Sequence, residues 1–422
     1  MMKRFLGLMT LLVMMVLISC GERAPYKSST YEDGFVETED CNPTVTSPLT
    51  RPNCIAETSQ GIYLIVGNFV YYTDPVTMDT KPLCFRPNCL HHEEQDSQKV
   101  PDCDAFIGSS YDNTFIFGYR DTLILTCLNK STLKLELIQM DLNGSNRKPL
   151  IPDLENVMIN ELRIHRGAAY YFQTETDLDG NRELSFNVVS LIGRKAKPIK
   201  LYSTFDDKTQ GYHVLPAGNH VYFNTMTTVD TNTGATDDKL FDLDIRTGEV
   251  RILYQDGNFS ICGYRDEKLI IAINKDYYEY SPESGELREE EGFRAFSEEH
   301  PDWNCHPECI TEELTVFSCV DFDSFNKGET DSPFVSDQFV VDRSGKTLCR
   351  LEGKGWASQG QIVAKINEQR YLIELSGVSP FSVDAYQIES LLAGEPKNIR
   401  LLYAENINSL TKPYVLANPY TE

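Results

Sequence analysis

The chain has no basic cluster. Its formal charge is −24 over 422 residues. Nucleic-acid recognition needs a patch of Lys and Arg against the phosphates, so that class of partner is excluded. Catalytic signatures are missing as well. There is no G-x-S-x-G elbow for a hydrolase serine. There is no H-E-x-x-H zinc helix and no G-x-x-x-x-G-K-[ST] phosphate loop. "SGKTL" (344–348) lacks the upstream glycine and reads as a turn. Sustained 3.6-residue apolar periodicity is almost absent, which excludes a helical fold. The exception, "DAYQIESLLAGE" (384–395), predicts one short helix, and "SEEHPDWNCHPEC" (297–309) reads as a loop.

What fills the chain from Ile55 onward is a single texture. Short runs rich in Tyr, Val, Ile, Phe and Leu alternate with Gly, Asn and Asp, as in "GIYLIVGNFVYYTD" (61–74) and "EKLIIAINKDYYEYS" (267–281). β-branched and aromatic runs broken by turn residues predict short antiparallel strands. One pattern recurs: an apolar strand, a polar hairpin, then a returning strand that ends in Leu or Tyr. It is found at 69–84, 135–151, 184–202, 240–254, 277–289, 338–351 and 384–403. Glycine in six of these hairpins supplies the positive φ of tight turns; the first copy uses Asp79 instead. The spacing of roughly 40–65 residues suits four-stranded propeller blades, which take about 40–50 residues each. The expectation is an all-β chain: a single β-propeller of four-stranded antiparallel blades, seven in number, with six or eight also compatible with the uneven spacing. A pair of β-sandwiches is the competing architecture.

The start has a different character. Lys3 and Arg4 precede an uncharged apolar stretch, Phe5 to Ile18, too short to span a bilayer comfortably. This predicts a secretory signal at 1–19. Leu17-Ile18-Ser19-Cys20 resembles the bacterial lipobox. The resemblance implies that Cys20 is acylated and holds the mature protein on a membrane, in the extracytoplasmic space of a bacterial envelope. Without Lys3 and Arg4 the net charge becomes −26. Residues 20–53 are poor in large apolar side chains and read as a flexible tether. The propeller is expected over 54–422, with Cys-rich inserts at 84–103 and 305–319. Cys41 and Cys54 flank the end of the tether and could staple it to the body.

Twelve cysteines are present, and eleven remain once Cys20 is lipidated. An odd number leaves at least one thiol outside intramolecular disulfides. "LCFRPNCLHHEEQDSQKVPDCDAF" (83–106) gathers Cys84, Cys89, His91 and Cys103. Three thiolates and an imidazole form a zinc donor set. In an exported chain disulfides are the leading expectation for the same cysteines, with the metal second and a redox thiol third. His92 is the weaker ligand. "WNCHPECITEELTVFSC" (303–319) repeats the residue types with Cys305, His306, Cys309 and Cys319, a second metal or disulfide window. Cys127, Cys262 and Cys349 lie in strand-like runs and read as small buried hydrophobes. "DLDGN" (177–181) lacks the spaced ligands and terminal Glu of a calcium loop and reads as a hairpin turn. His165, His213 and His220 read as structural.

"MDLNGSNRKPL" (140–150) resembles the strand–turn–strand signature of TolB-like and YWTD-type β-propellers. Together with the lipobox and Cys84-Phe85-Arg86-Pro87-Asn88-Cys89-Leu90-His91, closed by Cys103-Asp104-Ala105-Phe106, the chain looks like a group of bacterial surface lipoproteins of uncharacterised function. The resemblance implies a fold and no activity. The function expected is an anchored scaffold that binds a peptide, polysaccharide or protein through loops on one propeller face. No catalytic residue is assigned. Two alternatives stand beside it: a propeller enzyme acting on carbohydrate or peptide through carboxylates near the channel, and a metal-binding lipoprotein using the Cys/His windows. No cofactor is required by the first reading; structural zinc is the one the windows could take.

Overall fold

The structure is a computed structural model. It describes residues 24–41, 54–91, 103–108, 114–192, 197–274, 276–301, 303–320, 336–351, 360–366, 369–376 and 381–405. Cys20 and His92, with the signal segment, lie outside the described residues.

Seven four-stranded antiparallel sheets make a seven-bladed β-propeller. Blade 1 runs over 55–82, blade 2 over 116–151 and blade 3 over 163–204. Blades 4 to 7 run over 209–256, 259–289, 304–351 and 360–404. Each sheet takes its four strands in chain order from its own segment. The first strands form the inner ring, where that of blade 1 lies against those of blades 2 and 7. Among the described residues the ring therefore closes without strand exchange. One bond at the seam is specific: the Lys365 backbone N–H donates to Glu57 Oε1 at 2.6 Å. Burial of Glu57 pushes its carboxyl up to about 7, against the pull of that N–H.

Antiparallel order divides the turns between two faces. The first and third turns of every blade emerge on one face, called here the hairpin face. The second turns and the crossings between blades emerge on the other, the crossing face. The apolar cores sit between blades, because a strand with both faces buried must pack on both sides. Between blades 3 and 4, Phe186, Phe223 and Phe241 stack with ring centroids 3.9 and 4.8 Å apart. Such aromatic contacts add ~0.5–1.5 kcal/mol each to the area they bury.

Two segments differ from the sequence expectations. Residues 297–309, read as loop, are the end of a helix, α1 (Glu291–Glu299), and most of a strand, Asn304–Ile310. The side chain of Glu290 caps α1 by accepting from the Phe293 N–H at 2.5 Å. Phe293 and Phe296, one turn apart, fill the core between blades 5 and 6. Helix α2 (Ile388–Leu392) falls inside the stretch predicted helical, but the strand Phe381–Gln387 takes its first third.

The second difference is larger. Ala24–Cys41, read as part of the tether, is docked as a strap over the hairpin face. Its polar composition conceals the anchors. Tyr26 is buried in the core between blades 3 and 4. Arg166, in the first turn of blade 3, is fully buried and takes φ +47°. Its guanidinium bonds Asp40 through Nε at 2.7 Å and Nη2 at 3.1 Å. It also donates to the carbonyls of Glu32 and Gly34, at 2.8 and 2.7 Å, and to Asn219 Oδ1 at 2.6 Å. Its own backbone N–H donates to Glu39 O at 2.6 Å. Glu39 then accepts from Tyr119 Oη at 2.9 Å and Arg120 Nε at 2.7 Å on blade 2. Burial raises the Glu39 carboxyl, but bonds from Arg120, Ser29 and Tyr119 outweigh it and hold the group below the usual range. His165 finishes the latch. Its Nδ1 accepts from the Cys41 N–H at 3.1 Å, and its Nε2 lies 2.7 Å from Gly218 O. A carbonyl only accepts, so Nε2 carries the proton and the ring is neutral. Burial holds its pKa down at about 4.

Candidate metal centre

The chain leaves blade 1 at Leu83, whose N–H donates to Val70 O at 2.9 Å. It then coils. Asn88 and His91 both take positive φ, +59° and +48°, which turns the loop tightly enough to bring Cys84, Cys89 and His91 to one side. The return limb re-enters the sheet where the last strand of blade 1 would have continued. Val70 N–H donates to Ala105 O at 2.9 Å, and Phe69 pairs with Phe106. Cys103 is thereby buried against the blade 1 core.

One donor atom each from Cys84, Cys89, His91 and Cys103 lies within 4.8 Å of all the others. Cys103 Sγ is 3.5 Å from His91 Nδ1. With Zn–S ~2.3 Å and Zn–N ~2.0 Å, adjacent sulfur and nitrogen ligands of a tetrahedral zinc stand ~3.5 Å apart. The donor set and this edge fit zinc. The three cysteines are not joined by disulfides. Their thiols are driven in opposite directions. Burial raises Cys84, but the Arg86 and Asp104 backbone N–H groups, with bonds to Cys89 and Cys103, outweigh it and lower the thiol. Burial, with the nearby Cys89 and Cys84, pushes Cys103 up to about 12. A cluster that favours one thiolate and resists a second is what a bound cation resolves, since a metal deprotonates its thiol ligands.

The insert is pinned to blade 2 by a residue that sequence reasoning missed. Arg147, in the "MDLNGSNRKPL" turn, donates from Nη1 to Phe106 O at 2.9 Å and from Nη2 to Asp104 O. A cleft of about 320 Å³ lies there, lined in part by Cys103, Cys127, Lys130 and Arg147. Its two carboxylates are already engaged. Asp104 pairs with Arg86 Nε at 2.9 Å, and Glu136 accepts from Asn129 Nδ2 at 2.5 Å.

The second window behaves differently. Cys305 and Cys319 face each other on the first two strands of blade 6 and form a disulfide. Cys309 lies beyond a bulge in the same strand and is buried between blades 6 and 7. His306 pairs in register with Ser318. Strand alternation points successive side chains to opposite faces, so the window is a cross-strand staple and its four members do not converge. Cys41 sits beside His165 on blade 3, whereas Cys54 adjoins the first strand of blade 1, so these two do not make the staple expected from sequence. Cys127, Cys262 and Cys349 lie on strands as expected; the first two are buried, whereas Cys349, on the last strand of blade 6, is only half-buried. His220 bonds Asp242 at 2.8 Å and His213 is buried. "DLDGN" is the second turn of blade 3.

No family model matches this chain, and no curated protein matches it. Solved structures resemble it in fold. Prolyl oligopeptidase B from Galerina marginata is 10% identical, with a TM-score of 0.49; the match covers 86% of this chain and 52% of that one. The β-propeller domain of the trilobed protease from Pyrococcus furiosus, described as having an open velcro topology, is 8% identical with a TM-score of 0.46. That match covers 84% of this chain and 98% of the domain. The chain thus spans about half the length of the Galerina enzyme.

Proposed function

We propose that the chain is a membrane-anchored, extracytoplasmic binding scaffold, with its first inter-blade insert clipped by one structural zinc. The observation that carries the binding role is a ridge on the crossing face. Leu178 at the second turn of blade 3, Phe205 in the crossing to blade 4, and Val229 at the second turn of blade 4 are all strongly exposed. The crossing is tied to both hairpins. Arg182 Nη1 donates to Asp207 O at 3.4 Å, and Thr228 N–H donates to Lys208 O at 3.2 Å. Exposed apolar tips on supported loops are the signature of a surface that docks a partner. A polypeptide with apolar side chains fits them.

Zinc serves this role by holding the loop, not by reacting. Cys84, Cys89, His91 and Cys103 would fill all four positions of a tetrahedral ion, which is the closed, structural arrangement. No helix among the described residues is long and apolar enough to cross a membrane. The anchor in this reading is the acyl group on Cys20.

A displayed library of random peptides, panned on the full chain, tests the scaffold. Selected peptides should bind the double variant Leu178→Asp, Phe205→Asp at least tenfold more weakly, with melting unchanged. Equal binding overturns the reading, and hydrolysis of the peptides favours the enzyme. For the clip, elemental analysis of protein purified without added metal should give one zinc per chain, lost in Cys89→Ser. A chain free of zinc and lighter by two hydrogens beyond those lost at Cys305–Cys319 means a disulfide in the insert instead.

A further inference from the structure

We infer that the hairpin face is the membrane-facing side of the propeller, held close to the bilayer by the docked strap, and that the crossing face points away. This rests on the proposed acylation of Cys20. A flexible tether over 20–53 would let the ring stand up to ~110 Å from its anchor, at ~3.3–3.6 Å per residue. The strap removes that freedom. Ala24 N–H already donates to Arg246 O, in the third turn of blade 4, at 3.2 Å. Pro25 packs on Gly248 in the same turn so closely that a Cβ there would lie 2.5 Å from its Cδ. Tyr26 is buried immediately after. Four residue steps separate Cys20 from Ala24, a reach of ~14 Å. An acyl group on Cys20 therefore brings the third turn of blade 4 to the headgroups.

The strap then crosses the first turns of blades 4, 3 and 2. Asn219 Nδ2 donates to Tyr31 O at 3.2 Å, Arg166 holds Glu32 and Gly34, and Arg120 holds Glu39. Tyr31 and Phe35 are 43% and 59% exposed on its outer side. Aromatic side chains favour the membrane–water interface. Glu32, Asp33 and Glu37 are exposed beside them. These carboxylates keep the face apposed to the headgroups through water and out of the hydrocarbon. The same placement points the Leu178–Phe205–Val229 ridge outward, where a partner can reach it. The second strand of blade 4, His220–Asp230, runs between the two faces over 11 residues. At ~3.3 Å per residue this separates them by ~35 Å.

The test uses the full lipidated chain on vesicles of phosphatidylethanolamine and phosphatidylglycerol that carry a headgroup acceptor dye. A fluorescent amino acid is placed at Thr247, in the third turn of blade 4, or at Thr231, in its second turn; both sites are exposed. Energy transfer at position 247 should exceed that at 231 at least threefold. Inserting a twelve-residue Gly/Ser linker between Arg23 and Ala24 should bring the two within a factor of 1.5. Equal transfer in the unmodified chain overturns the orientation. Cys20→Ala keeps the two ideas apart: loss of vesicle binding supports the anchor whatever the orientation, and retained binding sinks the anchor itself.

Discussion

Replacing Arg166 by Ala should free the strap while leaving the ring folded. The side chain is fully buried and makes one two-pronged ion pair with Asp40, plus bonds to two carbonyls and one amide oxygen. Ala removes every one of these bonds at once. The Asp40 carboxylate, whose side chain is 1% exposed, is then left buried without its cation. Removing one partner of a buried pair costs ~3–5 kcal/mol. The backbone adds little, because Arg and Ala meet nearly the same penalty at φ +47°. The strap can escape by lifting off, which hydrates Asp40, so the cost appears as local opening. At 1.4 kcal/mol per tenfold, the opening constant should rise by about 100-fold to 4,000-fold. Hydrogen exchange at the Cys41 and Ser29 N–H groups reads this directly, since they donate to His165 Nδ1 and Arg166 O. Arg166→Lys keeps a charge but loses the fork, and should fall between the two. The reasoning is refuted if Arg166→Ala leaves protection at Cys41 within threefold of the parent. It is also refuted if ring and strap are lost together in one transition.

Other outcomes follow from single residues. Glu57 has a folded carboxyl near 7 against an ordinary value of 4.5, so the folded chain holds the proton more tightly. That disfavours the fold by up to about 3 kcal/mol above pH 7, a penalty relieved as pH falls toward 4.5. Glu57→Gln, whose amide oxygen can still accept from Lys365 N–H, should stabilise the ring at pH 8 and have little effect at pH 4.5 in urea melts. His165 runs the opposite way: its folded pKa of about 4 lies below the ordinary value of 6.5. Its contribution is complete above 6.5 and is lost as pH falls toward 4, so strap protection should weaken over that window by up to about 3 kcal/mol. Phe223→Ala opens the stack between blades 3 and 4 and should cost ~3–5 kcal/mol in global unfolding; a loss under 1 kcal/mol contradicts the packing described.

The seven recurring strand pairs noticed in the sequence are the third and fourth strands of all seven blades. They were legible because their hairpins need Gly, Asn or Asp at fixed places, as in the turn at Gly144, φ +83°. The inner strands were less so. Bulges, as at Tyr212/Val214, Ile261/Gly263 and Pro307/Cys309, break the two-residue alternation there, whereas the outer pairs, which carry bulges too, stayed legible through their hairpins. Helix α1 hid because its buried side is narrow, with Phe293 and Phe296 among charged neighbours. The first cysteine cluster could be read as a donor set, since its residues are close in sequence. The second could not, because register alone decides that Cys305 meets Cys319 while Cys309 turns away. The strap was invisible for the same kind of reason. Asp40 and Arg166 are 126 residues apart, and nothing local marks either as half of a buried pair.

Closure without strand exchange also sets an order of events. A chain made from its N-terminus emerges unfolded, and each blade can form once its own contiguous segment has appeared. The strap must wait until Arg166 arrives with blade 3. Blade 1 keeps one apolar side bare until blade 7, the last to emerge, reaches it and Lys365 meets Glu57. The seam between the first and last blades is thus the final interface made, and the chain is most open to proteases and misassembly in the interval before it forms.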